Sequence, residues 1–237
     1  MLQTEGIVFR TTRFRESSLI MDIYTAEKGL QCFIANGVFS KSNQRLASLF
    51  QLMNVLDLLV YYNEQKEIHR IKEVSPAILY QRIPFDIKRS AIGTFILEVC
   101  RKSISGHQTN PELFQFIKNC YQQLDYEQQI SPQFAIDFLL DLSSFLGFSP
   151  LDNYSETANS LDLLNGSFCP FELSNKYAVN PEDSQLLFLL IQKKTGTDSF
   201  KTLEQRRRIL DLLLFYFKLH LEHFKDIKSI EVFKGIF

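Results

Sequence analysis

Over the first eighty residues apolar and polar side chains alternate in short bursts. Ile7–Phe9, Leu19–Tyr24, Gln31–Ala35, Val55–Tyr62 and Ile68–Val74 are rich in β-branched and aromatic residues, which predicts five strands. Lys28-Gly29 and Asn63–Lys66 are the turn signals between neighbours, and a longer polar connection, Ser40–Arg45, lies between the third and fourth strands. Five short strands with one long connection after the third predict a small β-barrel of the OB type; an SH3-like barrel is the alternative the pattern leaves open. From about residue 84 the period changes to that of helices. Ile87, Ala91, Ile92, Phe95, Ile96 and Val99 form one apolar stripe. Leu113, Phe116, Ile117, Cys120 and Leu124 form a second, and Ala135, Phe138, Leu139, Leu142 and Leu146 a third that stops at Gly147. Asn110-Pro111, Ser131-Pro132 and Asn180-Pro181 each read as a capping side chain before a first-turn proline. Thr202 to Gln205 reads as the capping box of a last long helix carrying Leu210, Leu213, Phe217, Leu221 and Phe224. Between residues 149 and 180 the periodicity breaks, and Leu161–Phe168 reads as a hairpin turning at Asn165-Gly166. The expected fold is α+β and multi-domain: an N-terminal five-stranded OB-type β-barrel over residues 1–80, then an all-α helical domain over 81–237 with an irregular hairpin insert at about 149–180.

Composition narrows the function classes. Apolar residues are 45% and charged residues 22% of the 237, the signature of a packed globular chain. The N-terminus carries no basic segment followed by an apolar run, and Asp211, Lys218 and His220 interrupt the longest apolar stretch, Ile209–Leu221. A soluble, cytoplasmic protein with no membrane partner is expected. Cys32, Cys100, Cys120 and Cys169 are far apart and read as buried thiols rather than as a metal or redox motif. Nucleophile-elbow and phosphate-loop motifs are absent. His220 and His223 stand one helical turn apart without a third ligand; His69 alternates with apolar residues, and His107 sits beside Gly106. Asp137 and Asp141 share a helix face, as paired carboxylates of a catalyst or of any amphipathic helix would. The expectation is no enzyme, no metal and no cofactor.

The 26 basic and 27 acidic residues nearly cancel, so placement carries the information. The stretch GIVFRTTRFRESS, residues 6–18, holds Arg10, Arg13 and Arg15, the last two flanking Phe14; Lys28 follows at a turn, and Lys41 and Arg45 occupy the polar connection. In an OB-type barrel these elements line the groove that accepts nucleic acid, where basic groups neutralise phosphates and an aromatic stacks on an unpaired base. On charge alone an ordinary solvated strand end is the simpler account. Strict strand alternation places Arg13 and Arg15 together and Arg10 on the opposite face, unless a bulge intervenes.

Gly6–Arg10, Arg15–Ile20 with its Glu16-Ser17 pair, Tyr24–Leu30 and Ala35-Asn36-Gly37, with Phe145–Pro150 downstream, resemble the RecO recombination-mediator family. That resemblance implies an OB-fold and a helical domain without catalytic turnover. It implies binding and annealing of single- and double-stranded DNA through Arg13, Arg15, Arg10, Lys28, Lys41 and Arg45. The implied partners are RecR, the acidic-hydrophobic tail of single-stranded DNA-binding protein (held by a pocket in the helical domain), and RecA indirectly. The rival from another class is an adaptor whose barrel binds a protein. Two departures stand out. Many relatives carry a four-cysteine zinc knot in the insert, whereas Asn153–Pro170 holds only Cys169, so Leu161, Leu163, Phe168 and Phe171 are expected to pack in the metal's place. The helix from Ser131 to Gly147 has no basic residue to anchor the acidic tail, leaving Arg101-Lys102 or Arg206–Arg208 as substitutes, though the arginine triplet reads more simply as a solvated helix face.

Overall fold

A computed structural model describes residues 1–40, 44–106, 108–193 and 200–236; Lys41 and His107 lie outside them. The chain divides into two compact units, residues 1–128 and 129–237.

The first unit opens with β1 (Leu2–Phe14), β2 (Ser18–Thr25) and β3 (Gly29–Ala35), then α1 (Gln44–Leu49), β4 (Val55–Tyr61) and β5 (Ile68–Pro76). The strands close a barrel in the order β1-β2-β3-β5-β4, antiparallel except for the parallel β3–β5 pair, which is the OB-type arrangement. β1 is far longer than its apolar core of Ile7–Phe9 suggests because it serves two partners: Leu2–Ile7 pair with β4 and Gly6–Phe14 with β2. At Gly6, where both pairings overlap, a Cβ would lie 2.5 Å from Ile23 Cγ2, so only glycine fits between the strands. A register shift between Val8 and Arg10 then reverses which side chains point inward. Val8, Leu19, Met21, Ile23, Phe33, Leu56, Leu58 and Val60 fill the interior. The predicted polar connection, Ser40–Arg45, runs into α1, whose Leu46 and Leu49, with Phe50 just beyond, pack against that core.

Helices α2 (Ile87–Ser103) and α3 (Pro111–Tyr126) belong to the same unit as the barrel. Phe9 stacks on Tyr24, and Tyr24 meets Phe114 of α3, so this end of the barrel's outer surface is covered. The ion pair of Glu5 with Lys118 of α3, 2.6 Å, reinforces the contact. Where the chain leaves the barrel, the fully buried Asp125 carboxylate accepts hydrogen bonds from three successive backbone amides, Gln81, Arg82 and Ile83, at 2.8–3.1 Å. The buried Arg89 caps the end of α3, donating to the carbonyls of Leu124, Glu127 and Gln128.

The second unit contains α4 (Phe134–Phe145), β6 (Ser160–Asp162), β7 (Ser167–Cys169), α5 (Pro181–Ile191), α6 (Leu203–His220) and α7 (Ser229–Ile236). Asn110 caps α3, and Asn180 and Thr202 cap α5 and α6, as the sequence predicts. Ser131 does not cap α4. Its hydroxyl and carbonyl are used in a turn, accepting from Gln133 and Phe134, and the helix starts three residues later without a side-chain cap. Gly147, at φ 83°, ends α4 through bonds from its own amide to Ser144 and from Phe148 to Ser143. Phe224 is buried beyond the end of α6, in the turn before α7, a helix the sequence pattern does not anticipate.

Burial raises the Asp125 pKa, but the amides of Gln81, Ile83 and Arg82 outweigh it and hold the carboxyl below its usual range. The stability it contributes is therefore present above about pH 4 and is lost as the pH falls through the lowered value. Asp125→Ala, which leaves three amides, that of the buried Ile83 among them, without their acceptor, should cost about 3 kcal/mol in urea melts at pH 7. A loss below about 1 kcal/mol would show that solvent satisfies them instead.

Candidate nucleic-acid interface on the barrel

Strand register defines the part of the barrel's outer face that α3 leaves open. Thr12 pairs with Ile20, Ile20 with Ile34, Ile34 with Arg70, and Arg70 with Tyr61, so one row crosses all five strands on one side. Thr12 and Arg70 are exposed, Tyr61 is half exposed, and Ile20 and Ile34 are partly so. The neighbouring row is Arg10, Asp22, Cys32 and Ile68. An open, gently apolar strand face between two loops is the surface on which OB-type barrels carry nucleic acid.

The β1–β2 turn forms one rim. Past the register shift Arg10 stands opposite Asp22 on the outer face, its Nε 2.8 Å from the carboxylate. Arg13 stands opposite Leu19, on the inward phase at the barrel mouth. There its Nη2 donates to the Glu16 carbonyl at 3.0 Å, and its guanidinium lies over the ring of Phe39 at 4.8 Å. Arg15 is not part of the strand: it adopts φ 55° in the turn and lies over the Phe14 ring at 5.1 Å. Alternation thus separates Arg10 from Arg13, but Arg13 and Arg15 meet the rim through the turn rather than through a common strand face. The Phe39 amide donates to the Ser17 carbonyl and Ser18 Oγ to Asn36, which ties the segment after β3 to this turn. Phe14 and Phe39 are 37% and 40% exposed, each beneath an arginine. Such pairs present a cation and a stacking ring together. Arg45 is the second residue of α1.

Lys28 lies at the other end of β2, about 20 Å away at ~3.4 Å per residue. It is at the rim formed by the β4–β5 loop, 3.5 Å from Glu64 and over Tyr62 at 5.0 Å. His69, buried beside Tyr62 and Phe33, faces Gln31 through Nε2 and the Asn63 amide through Nδ1, and Gln31 donates to the Lys28 carbonyl. It holds this rim together from inside the barrel. Phe39, Tyr61 and Arg70 belong to the face, and no sequence signal singles them out. Arg70 lies within the alternating stretch Ile68–Val74, but its place next to β3 depends on the parallel pairing.

The helical unit places its candidate groups in structural roles. His220 Nε2 faces the Leu163 carbonyl at 3.0 Å, and its ring stacks on Phe148 and packs on Tyr216, while His223 is exposed. Among the described residues no three His, Cys, Asp or Glu side chains gather as a metal would require. In the insert, Leu161, Leu163 and Phe168 are buried, whereas Phe171 is 40% exposed. The turn has four residues rather than two, and the buried Asp162 organises it. Its carboxylate accepts from the Leu164 and Asn165 amides and from the side chains of Asn165 and Asn175, at 2.8–3.2 Å. Arg208 makes a two-pronged pair with the fully buried Asp183 at 2.6 and 2.8 Å, and Arg207 donates to the Lys234 carbonyl, so this triplet is not simply a solvated face. Lys102 is paired with Glu98 at 2.7 Å, and Arg101 is exposed. No helix of the described residues is long and apolar enough to cross a membrane.

A five-stranded barrel of the OB type followed by a helical body with a small hairpin is the class of protein this fold defines. The match to known families is specific. The model for the N-terminal part of recombination protein O covers residues 1–80 and that for its C-terminal part residues 84–229. The DNA repair protein RecO of Flavobacterium psychrophilum is 31% identical over all of this chain and 99% of its own length. Those of Phocaeicola vulgatus and Flavobacterium johnsoniae are 29% and 30% identical, over all of this chain and 100% and 99% of theirs. The chain belongs to the RecO family of DNA repair proteins.

Burial, then the neighbouring Asp141 carboxylate, pushes the Asp137 pKa up to about 6, against the opposing pull of Gln133 and Lys193. The unfolded chain releases this proton near pH 3.9, so the folded state loses stability as the pH rises from about 4 to 6. Asp137→Asn should raise the thermal midpoint at pH 7, and the gain should vanish at pH 4. An equal gain at both pH values would mean that packing, not charge, is responsible.

Proposed function

We propose that this protein is a recombination mediator without catalytic turnover. In this reading residues 1–80 are its nucleic-acid-binding domain, and Arg13 and Arg15 provide its principal phosphate contacts. The observation that carries the reading is the rim where two exposed guanidinium–phenyl pairs, Arg13 with Phe39 and Arg15 with Phe14, border the open strand face. Lys41 and Arg45, which follow Phe39 in the sequence, are further contacts in this reading; Lys28 serves the opposite rim, and Arg10 is the weakest contributor because Asp22 holds it. Phosphate contacts with stacking rings suit single strands, and the cations alone serve duplexes, so bringing complementary strands together needs no reaction chemistry. The protein anneals such strands and, with RecR, helps load RecA onto single-stranded DNA coated by single-stranded DNA-binding protein.

The acidic-hydrophobic tail of that coating protein is assigned to an open groove along α6 lined by Arg207, Arg208, Leu212 and Phe215 together with Glu204 and Asp211, of which Asp211 is held by Lys234 and Arg208 by Asp183, so Arg207 and Phe215 carry the assignment. A reading as a protein adaptor is favoured by one observation: Leu79, Phe85 and Ile87, 72–86% exposed, are presented by a segment that the Asp125 bonds hold rigid. These side chains suit a protein contact of the mediator as well.

Fluorescence anisotropy with single-stranded DNA at two salt concentrations tests the DNA claim. Arg13→Ala/Arg15→Ala should weaken every sequence alike, about tenfold or more at low salt. The double variant should also flatten the salt dependence by about 1.4 in log–log slope, at ~0.7 for each phosphate no longer neutralised. Wild-type protein that does not bind at low salt sinks the reading. For the groove, Arg207→Ala and Phe215→Ala should each weaken an acidic-hydrophobic peptide at least fivefold while leaving DNA binding unchanged; unaltered peptide binding moves the tail elsewhere.

A further inference from the structure

Asp22 is the acidic side chain in the middle rows of the open face, at the centre of a surface otherwise suited to an anion. Its carboxylate is 27% exposed and lies 2.8 Å from Arg10 Nε, and Arg10 is 54% exposed. Register puts the two directly opposite each other across β1 and β2, and Cys32 directly opposite Asp22 across β2 and β3. Burial, and then the nearby carboxylate, raises the Cys32 pKa, which keeps its thiol protonated as a donor to Asp22. Without the register shift between Val8 and Arg10, Arg10 would point into the barrel; the bulge turns it outward and delivers it to Asp22. The remaining cations of the rim, Arg13 and Arg15, lie over phenyl rings rather than against carboxylates.

We infer that Asp22 is an internal competitor for phosphate: it occupies Arg10 and so lowers the affinity of this face for nucleic acid. The inference rests on the DNA-binding reading above. An exposed ion pair is worth little in water, so a phosphate in the strand's path exchanges with the carboxylate at small cost, and the backbone slides over Arg10 rather than locking on it. A mediator that must yield its strand to another protein gains from such a weak central contact between firmer rims.

A double-mutant cycle tests it on the full chain, with a single-stranded homopolymer as probe. Asp22→Asn should tighten binding about three- to fivefold at low salt and steepen the salt dependence by about 0.7 in log–log slope, as expected when one more phosphate is neutralised. Arg10→Ala alone should change affinity less than twofold, and in its background Asp22→Asn should have little remaining effect. Equal tightening by Asp22→Asn with and without Arg10 would overturn the pairing and leave only bulk charge. No tightening in a variant that melts like the parent would overturn the inference, while weakening by Arg13→Ala/Arg15→Ala in the same assay would leave the DNA-binding reading standing.

Discussion

The first unit depends on one buried carboxylate. Asp125 gathers the amides of Gln81, Arg82 and Ile83 as the chain leaves β5, and so fixes the end of α3 to the base of the barrel. Arg89 completes the junction from α2 by satisfying carbonyls that the end of α3 would otherwise leave unpaired. With α3 held there, Phe114 covers Tyr24 and Phe9, and the barrel has one closed outer end and one open one. The position of the open strand face is therefore a consequence of where a buried anion finds its donors.

The helical unit uses the same device twice. Asp162 organises the hairpin turn of the insert, since one carboxylate can accept several N–H bonds around a tight loop. Asp183, fully buried at the start of α5, is acceptable there because Asn180 and the fork of Arg208 meet it on both oxygens. Polar clusters that could pass for sites in the sequence are consumed by architecture, while the open barrel face, the α6 groove and the exposed Leu79, Phe85 and Ile87 stay available among the described residues.

Net charge is a poor guide to this protein. The total nearly cancels, yet one rim of the face sets two arginines on aromatic rings, the other sets Lys28 on Tyr62, and its centre carries an ion pair. Because fields from exposed charges fade over about 10 Å, local arrangement and not the chain sum decides what this surface attracts.

Sequence by itself determined the number and type of the main elements, because strand and helix periods differ and the caps at Asn110, Asn180 and Thr202 act within one turn. It also located Arg13 and Arg15 beside an aromatic. Helix α1, six residues long, is too short to show a helical period, and Ser131 looks like a cap because competing turn bonds are not visible in a dipeptide. Tertiary structure alone decided which side chains share a face. The bulge in β1 reassigns Arg10 and Arg13, and the parallel β3–β5 pairing brings Arg70 beside Ile34 and, through β4, beside Tyr61. Register between strands distant in sequence is set by closing the barrel around its core, and no local pattern encodes it.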